Sequence, residues 1–434
     1  MQFLCIFTLI FFLLFELIYN RKIHNVSLWF VGIWLFIVVL ASLKLLGLYA
    51  ATEEAYLVIT LGVFAFEIGT KLPHRVRFTI FGITSYKNNT EVDYGRFRIA
   101  FIICVIALLP NILMLVKYFT GHYTLGQIYQ VMAMTASGDN TELTGEVSDN
   151  LIRLQQYIGY PLLYLLVPTA IAMFESTKQK KYMFGAILLT ILRFLYDVRK
   201  TFLVMLVIWS WFIYKFAIKK NDFNEGELTS KEKIKKNVQS LLIVGSVFAL
   251  FMYSSISRAD YSNGKYSLFQ NMYYYYGGSV PYLGYRLDTA NLTEYTLGFT
   301  SFRGVLAPIF AVIGMLGIKE PELLTIATNN INSLHSVITT IAPGHRYNSY
   351  ATMFFQFFQD GGYVGVIILS LLYGYYAAGL QKKYVDSNSI RYRVKLAYFL
   401  GTFILFSMLH FNGCVICYVW PLIIDGFLYK NIQC

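Results

Sequence analysis

Three cations between two apolar runs could bind phosphate. Arg193, Arg199 and Lys200 fall within eight residues, and Asp197 is the one acidic residue among them. The planar guanidinium of arginine matches two phosphate oxygens at once, and lysine adds a compact positive charge. Arg258 follows a later apolar run and could approach Arg199 in the folded chain. The alternatives are an i, i+4 ion pair between Arg193 and Asp197 and lipid-headgroup anchoring by the other two cations.

The run from Gly344 to Gly374 holds two groups that could remove a proton from a hydroxyl. Either His345 or Asp360 could act as such a general base. The structural alternatives are a solvated loop position for His345 and an N-cap for Asp360, because an apolar helix is predicted from about residue 363.

Tyrosine is dense in the segment that follows residue 257, with Tyr274 and Tyr275 inside a run of four. A tyrosine ring presents an apolar face and a polar tip, which suits a sugar ring, whose C–H face stacks while its hydroxyls need hydrogen bonds. A belt at the membrane interface is the alternative for any single tyrosine. The same segment holds Arg286, Arg303 and Arg346 among six basic and six acidic residues. Any charged ligand there must be recognised by individually placed residues.

Other chemistry has little support in the sequence. Cys414-Val-Ile-Cys417 has the spacing of a metal or redox pair, but it lies in an apolar run without a second pair. No Walker A loop, G-x-G-x-x-G or H-E-x-x-H motif occurs, so neither a nucleotide nor a metal cofactor is expected. The net charge of +12 does not indicate nucleic acid, because the basic residues sit in short blocks between apolar runs.

The elements that must position these residues are membrane helices. Of the 434 residues, 56% are hydrophobic and 14% are charged, which excludes a soluble surface. The sequence predicts an all-α integral membrane protein with about eleven transmembrane helices. The predicted spans are 2–19, 28–48, 55–70, 99–118, 157–174, 182–198, 200–218, 238–256, 363–380, 396–411 and 414–429.

The basic residues predict the orientation. With the N-terminus outside, the loops on the inner side hold 24 of the 36 Lys and Arg residues, and the C-terminus is cytoplasmic. The chain then divides into eight N-terminal helices in 1–256, one large outer loop in 257–361 and three C-terminal helices in 362–434. The apolar run 304–318 is predicted to lie in the outer interface or to dip part of the way into the membrane.

Several local patterns accompany this architecture, and together they resemble the Wzy-type polymerases of O-antigen and capsule repeat units, and more distantly the O-antigen ligases. The patterns are Asp197-Val-Arg199-Lys200, Ser257-Arg258, the tyrosine-rich stretch 273–279, Tyr347-Asn348-Ser349-Tyr350, and Asp360-Gly361-Gly362 with Gly365. Ala351 stands where the family has Thr, and Gly361 where it has Phe. A ligase would have His directly before the Asn, where this chain has Tyr347, so the resemblance favours a polymerase.

The resemblance implies a GT-C-like fold and a membrane glycosyltransferase that needs neither nucleotide nor metal. Its substrate would be an oligosaccharide on undecaprenyl pyrophosphate, transferred at the outer face of the bacterial cytoplasmic membrane. The implied pyrophosphate-binding residues are Arg199, Lys200 and Arg258 with Arg193 in support, and the implied base is Asp360 or His345. The implied glycan-binding residues are Tyr274, Tyr275, Arg286, Arg346, Asn348 and Tyr350.

The implied partners are the lipid-linked oligosaccharide and membrane lipids, with no nucleic acid. Whether a chain-length regulator also takes part stays open, as do two other functions, an O-antigen ligase and a flippase for lipid-linked glycans. Secondary transporters usually carry paired halves and broken helices at the midplane, whereas the charges of this chain collect on the predicted outer side. That distribution favours the polymerase.

Overall fold

A computed structural model gives the architecture of most of the chain. The described residues are 1–19, 22, 24–72, 90–109, 116, 120–121, 154–197, 201–221, 268–289, 294–333, 337–348, 351–387 and 389–431.

The described chain is mostly helical. Its helices are α1 Gln2–Tyr19, α2 Val26–Leu43, α3 Glu53–Lys71, α4 Tyr94–Ala107, α5 Tyr160–Thr177, α6 Lys180–Asp197, α7 Thr201–Asn221, α8 Leu268–Gly277, α9 Ser279–Thr289, α10 Arg303–Gly314, α11 Glu322–Asn332, α12 Met353–Asp386, α13 Ile390–Phe406 and α14 Ile416–Ile424. The strands β1 Thr90–Val92 and β4 Tyr429–Asn431 pair antiparallel, as do β2 Ile338–Ala342 and β3 His345–Asn348.

In the described part of the chain, four helices are long and apolar enough to cross a membrane. They are Gln2–Tyr19, Val26–Leu43, Gln155–Thr177, which includes a π-helical first turn, and Met353–Asp386. This agrees with an all-α membrane protein. Ten of the eleven predicted spans overlap a helix, and the eleventh, 238–256, lies outside the described residues.

The last predicted span, 414–429, is not one continuous helix. The α-helix α14 covers only Ile416–Ile424, and 3₁₀ turns precede and follow it. Nine residues of α-helix reach about 14 Å, roughly half the hydrocarbon thickness of a bilayer. The turn that follows begins at Asp425, whose buried carboxylate accepts hydrogen bonds from Arg391 and Lys395. A buried charge with two cationic partners therefore lies inside the predicted span, at the point where the α-helix has ended.

Helices α3 and α12 pack closely against each other, and glycine makes this approach possible. A Cβ on Gly69 would lie 2.1 Å from the carbonyl oxygen of Leu371, and one on Gly374 would lie 2.1 Å from that of Phe66. Glycine at such positions lets two membrane helices pack backbone to backbone. At one end of the pair, the Tyr363 hydroxyl donates a 2.7 Å hydrogen bond to the Glu54 carboxylate. The two helices therefore run parallel from that end.

Helix α12 is broken at Gly361 and Gly362, and its first part folds back. Gly362 has φ 59° and ψ −145°, a conformation that only glycine adopts readily. A Cβ on Gly365 would lie 2.4 Å from the carbonyl oxygen of Phe357, although residues eight apart in a straight helix are about 12 Å apart. The segment 353–360, here called the half-helix, therefore packs against the helix that follows it.

The half-helix enters the bundle from the Glu54 end. The Phe354 ring lies against Gly62 of α3, whereas Tyr363 reaches Glu54, eight residues nearer the start of that helix. Phe354 is thus about 12 Å deeper along α3 than Tyr363, which follows it in the chain. The Trp34 ring of α2 packs 4.6 Å from that of Phe354, which places both inside the core. Residues 353–360, which fall within the predicted loop 257–361, therefore form a short helix that packs inside the helical core.

The β2–β3 hairpin and helices α8 and α9 pack against the half-helix and the helices next to it. The Tyr273 and Tyr274 hydroxyls donate to the carbonyl oxygens of Leu40 and Leu46, at 2.8 and 2.7 Å. The Tyr49 amide donates to Ile341 in the hairpin at 2.8 Å. These bonds fix the tyrosine-rich helices and the hairpin to the same end of α2 and α3.

Candidate functional site

Asp360, a predicted base, organises the loop 296–301. Its buried carboxylate accepts hydrogen bonds from the Thr296 hydroxyl at 2.6 Å and from the backbone amides of Gly298, Thr300 and Ser301 at 3.0 Å each. Four donors occupy most of the lone-pair directions of a carboxylate. The expected alternative, an N-cap of the helix after residue 362, is not what Asp360 does. Its contacts favour a positioning role over proton abstraction.

The same loop donates hydrogen bonds to the backbone carbonyl groups at the end of the half-helix. The amides of Thr296 and Leu297 donate to the carbonyl oxygens of Gln359 and Asp360, at 3.1 and 3.0 Å. A helix that stops inside a membrane protein leaves carbonyls without partners, and non-helical backbone is tolerated there only where protein or water meets them. The loop 296–301 and Asp360 therefore fold as one unit.

His345, the other predicted base, begins β3 and has different surroundings. Its imidazole stacks on the Tyr274 ring, with the ring centres 4.2 Å apart. The side chain is half-buried, and this burial lowers the pKa of His345 below its ordinary value of 6.5. A neutral imidazole can accept a proton, so its protonation state at neutral pH suits a base.

Arg286, a predicted glycan-binding residue, is a buried cation at the end of α9. The residue is 6% exposed, and its guanidinium lies 4.8 Å from the centre of the Phe355 ring of the half-helix and 3.4 Å from the Tyr282 hydroxyl. No carboxylate of the described residues lies within 4.0 Å of it. Arginine rarely stays buried without an anion, so this position is suited to an anionic ligand.

Arg303 is a second such cation, at the first turn of α10. Its Nε donates to the Thr328 hydroxyl at 3.1 Å, and burial lowers its pKa from the ordinary value. Among the residues that the structure describes, it forms no ion pair within 4.0 Å. Thr300 and Ser301, just before Arg303, bind Asp360 at the last residue of the half-helix. Arg303 therefore follows a segment at that end, whereas Arg286 contacts Phe355 near the first residue.

The remaining glycan-binding candidates occupy the hairpin and its support. Tyr274 is buried between His345 and Leu46, and Tyr275 is half-buried, with its carbonyl accepting from the Tyr347 hydroxyl at 2.9 Å. Arg346 is exposed, opposite Thr340 across the hairpin. The backbone of Asn348 pairs with Ile338 at the end of β3. Tyr350 lies outside the described residues.

Of the four predicted pyrophosphate-binding residues, the structure describes one. Arg193 lies in α6 with its guanidinium carbon 4.2 Å from the centre of the Tyr160 ring, the distance of a cation–π contact. Arg199, Lys200 and Arg258 lie outside the described residues. The described chain therefore brings together His345 with Tyr274 and Arg286 with the half-helix, and leaves the main phosphate group a prediction.

The sequence-based prediction assigned no role to a set of polar side chains in the core around the half-helix. Within the described part of the chain, one oxygen or nitrogen atom of each is buried and has no hydrogen-bond partner. The members, here called the polar cluster, are Ser301, Thr352, Gln356, Gln359, Ser407 and Asn412. The signal in the sequence was the pair of glutamines in Phe354-Phe355-Gln356-Phe357-Phe358-Gln359, where an apolar helix would have none.

The described residues contain no group of three His, Cys, Asp or Glu side chains that could hold a metal ion. Cys414 is buried, and burial within the 3₁₀ turn 412–414 keeps its thiol away from solvent. Comparison with protein-family models, with curated proteins and with solved structures finds no match to this chain.

Proposed function

We propose that the chain is a membrane glycosyltransferase that polymerises lipid-linked oligosaccharide repeat units. The observation that carries the proposal is Arg286, a buried guanidinium without a carboxylate partner in the described chain, between tyrosine-rich helices and the half-helix. Such a cation favours an anionic group on the ligand, and nearby tyrosines suit the sugars attached to it. A glycan linked to a lipid pyrophosphate has both features.

The proposal includes an orientation. Eleven spans with the N-terminus outside and the C-terminus in the cytoplasm would place residues 257–361 on the outer face of a bacterial cytoplasmic membrane. The half-helix, the hairpin and helices α8 to α10 would then sit where the pyrophosphate of an inserted lipid lies. The basic loops support this arrangement, because 24 of the 36 Lys and Arg residues fall on the opposite side.

In the proposed reaction a sugar hydroxyl of one lipid-linked unit attacks the anomeric carbon of another. A new carbon–oxygen bond forms, the bond to the pyrophosphate oxygen breaks, and undecaprenyl pyrophosphate leaves with the electron pair. His345 takes the proton of the attacking hydroxyl, because its imidazole is held neutral by burial. Asp360 holds the loop 296–301 in place.

Cations stabilise the departing pyrophosphate. Arg199, Lys200 and Arg258, supported by Arg193, are assigned to its oxygens by resemblance, and Arg286 is added for an anionic group of the bound unit. Fixed guanidinium groups can neutralise charge that develops on a leaving group, which a divalent cation does in other enzymes. The reaction then requires neither nucleotide nor metal.

The test uses the chain's own substrate, so its sugars need not be identified first. Source cells that lack this chain should accumulate the unpolymerised lipid-linked unit, which is extracted and incubated with the purified protein in detergent, with a chelator and without nucleotide sugars. We expect a ladder of oligomers on a gel. Arg199→Ala should remove the ladder, whereas Lys382→Ala, at an exposed cation near the far end of α12, should leave it intact.

A substrate that stays a single unit under these conditions would contradict the polymerase proposal. Two other functions then come into question. Transfer of the glycan to a different lipid acceptor would indicate a ligase. A flippase has one specific observation in its favour, since α12 is broken and carries buried polar side chains at the break, as transporter helices often do. Reconstitution in vesicles with a fluorescent lipid-linked glycan would detect flipping.

A further inference from the structure

The polar cluster holds side chains whose hydrogen-bonding capacity is unused in the described chain. Gln359 is the clearest member, because it is 3% exposed and its side-chain oxygen accepts no hydrogen bond from any described residue. The Gln356 amide nitrogen and the Thr352 hydroxyl are likewise buried and have no hydrogen-bond partner among the described residues. Buried polar atoms in folded proteins are nearly always hydrogen-bonded, so several such atoms in one place indicate that something else bonds to them.

The members of the cluster lie on three segments that hydrogen bonds join. Gln356 and Gln359 are spaced i and i+3, which puts them on one face of the half-helix, and Thr352 directly precedes its first residue. That face meets the turn after α13, because the amides of Thr352 and Met353 donate to Met408 and Ser407 at 3.0 and 2.8 Å.

Residues 411–413 connect the half-helix to the loop 296–301. The Phe411 amide, next to Asn412, donates to the Gln356 side-chain oxygen at 3.1 Å. The Ser301 amide donates to Asp360 at 3.0 Å, and the Ser301 carbonyl oxygen would lie 2.5 Å from a Cβ on Gly413. The loop 296–301, the half-helix and residues 407–413 therefore surround one polar region.

Backbone strain occurs at the same place. Thr352, the residue before the half-helix, has φ 71° and ψ 159°, a region of backbone conformation occupied almost only by glycine. Strain at a β-branched residue persists only where the surrounding structure enforces it, and it concentrates at binding and catalytic sites. The strained backbone and the unused side chains are independent observations on one site.

The types of the unused atoms identify the class of ligand. The Gln356 amide nitrogen is a donor, because its side-chain oxygen is fixed by the Phe411 amide. The Asn412 side-chain oxygen is an acceptor, because its amide nitrogen donates to the Thr402 hydroxyl at 3.3 Å. Three hydroxyls, of Ser301, Thr352 and Ser407, can do either. An anion would meet acceptors and a metal ion would meet a donor, whereas a ligand with several hydroxyl groups satisfies both kinds.

We propose that the polar cluster binds the hydroxyl groups of one neutral sugar ring of the lipid-linked glycan. The inference rests on the proposed function and adds the place and the chemistry of a sugar subsite. Because all six side chains are at most 6% exposed, the described conformation is occluded, and the sugar enters when the loop 296–301 moves. Leu297 in that loop has a φ of 50°, which is an unfavourable backbone conformation for a residue other than glycine.

The test separates binding from folding. Gln359→Met keeps the length of the side chain and removes its polar atoms, so the protein should be as stable as the wild type or more stable in thermal unfolding. The same variant should raise the KM for the extracted lipid-linked unit about tenfold and leave kcat within about twofold. The matched control is Ser370→Ala in α12 beyond the break, which removes another buried hydroxyl that has no hydrogen-bond partner among the described residues, and it should leave KM unchanged.

Binding is measured apart from turnover. The probe is the oligosaccharide released by mild acid from the extracted unit, and saturation-transfer NMR is recorded in a detergent without a sugar headgroup. Wild-type protein should show transfer to the sugar protons, and Gln359→Met should lose most of it. If that variant keeps both wild-type KM and wild-type transfer, the sugar subsite is overturned while the polymerase stands. If the wild-type protein makes no ladder, the saturation-transfer experiment still tests the sugar subsite. Absence of transfer to the sugar protons would then overturn the subsite as well.

Discussion

At the scale of single residues, Arg286 offers a sharp distinction between binding and folding. A buried guanidinium destabilises the fold unless an anion pairs with it, and Arg286 has no carboxylate partner among the described residues. We therefore expect Arg286→Met to raise the thermal stability of the ligand-free protein. The same variant should lower kcat/KM by about 10- to 100-fold, the value of a charge-assisted hydrogen bond of roughly 1.5–3 kcal/mol.

Its control is Lys382→Met near the far end of α12, an exposed position where solvent screens the charge. That variant should change kcat/KM by less than about threefold. If Arg286→Met loses stability together with activity, the guanidinium belongs to the framework of the fold and the anion assignment is wrong.

His345 predicts how the rate depends on pH. Burial lowers its pKa below 6.5, so the imidazole is neutral above that value and becomes protonated only in more acidic solution. The base must be neutral to accept a proton, so kcat/KM should be level above about pH 6.5 and should fall as the pH drops through the lowered pKa. The sign for stability is the same, because below pH 6.5 the unfolded chain binds more protons than the folded chain.

A rate profile of His345→Gln checks the assignment. The variant should lose most of the rate, and its residual activity should have no acidic limb in this range. Persistence of the limb at full height would assign the proton transfer to another group.

At the scale of elements, the break in α12 supports a matched pair of substitutions. Gly362 has positive φ, and a Cβ there would lie 2.8 Å from the Tyr295 hydroxyl, whereas Gly361 has φ −174° and nothing within 4 Å. Gly362→Ala should therefore destabilise the protein by about 1–3 kcal/mol and displace the loop that Tyr295 leads into. Gly361→Ala should have little effect on melting. Equal melting temperatures for the two variants would mean that the positive φ of Gly362 does not hold the break.

The same element marks what the sequence could predict. Helices overlap all ten of the predicted spans that the structure describes, because apolar composition summed over about 20 residues indicates a membrane helix. The half-helix was not predicted, because eight residues are too short for that sum. The contacts of Asp360 with Gly298 and Thr300 were not predicted either, because those residues lie some sixty positions earlier in the chain. Gln356 and Gln359 were visible as polar residues in an apolar run, but their shared face needs the fold.

At the scale of the whole molecule, the two ends of α12 provide a test of the proposed orientation of the chain in the membrane. Residues 363–386 extend about 36 Å as an α-helix, which is enough to cross a hydrocarbon core of about 30 Å. The hairpin residue Arg346 precedes this helix and Lys382 lies near its far end, and both are exposed. The proposed topology puts Arg346 outside the cell membrane and Lys382 in the cytoplasm.

Single cysteines at these two positions test the arrangement in a background where Cys417 and Cys434 are replaced by Ser. Arg346→Cys should react with a membrane-impermeant maleimide in spheroplasts, and Lys382→Cys should react only after the membrane is opened. The reversed pattern would put the tyrosine-rich helices, His345 and Arg286 in the cytoplasm, where nucleotide sugars are the donors at hand, and the polymerase proposal would fall. Reaction of both from outside would mean that α12 returns to the side from which it enters.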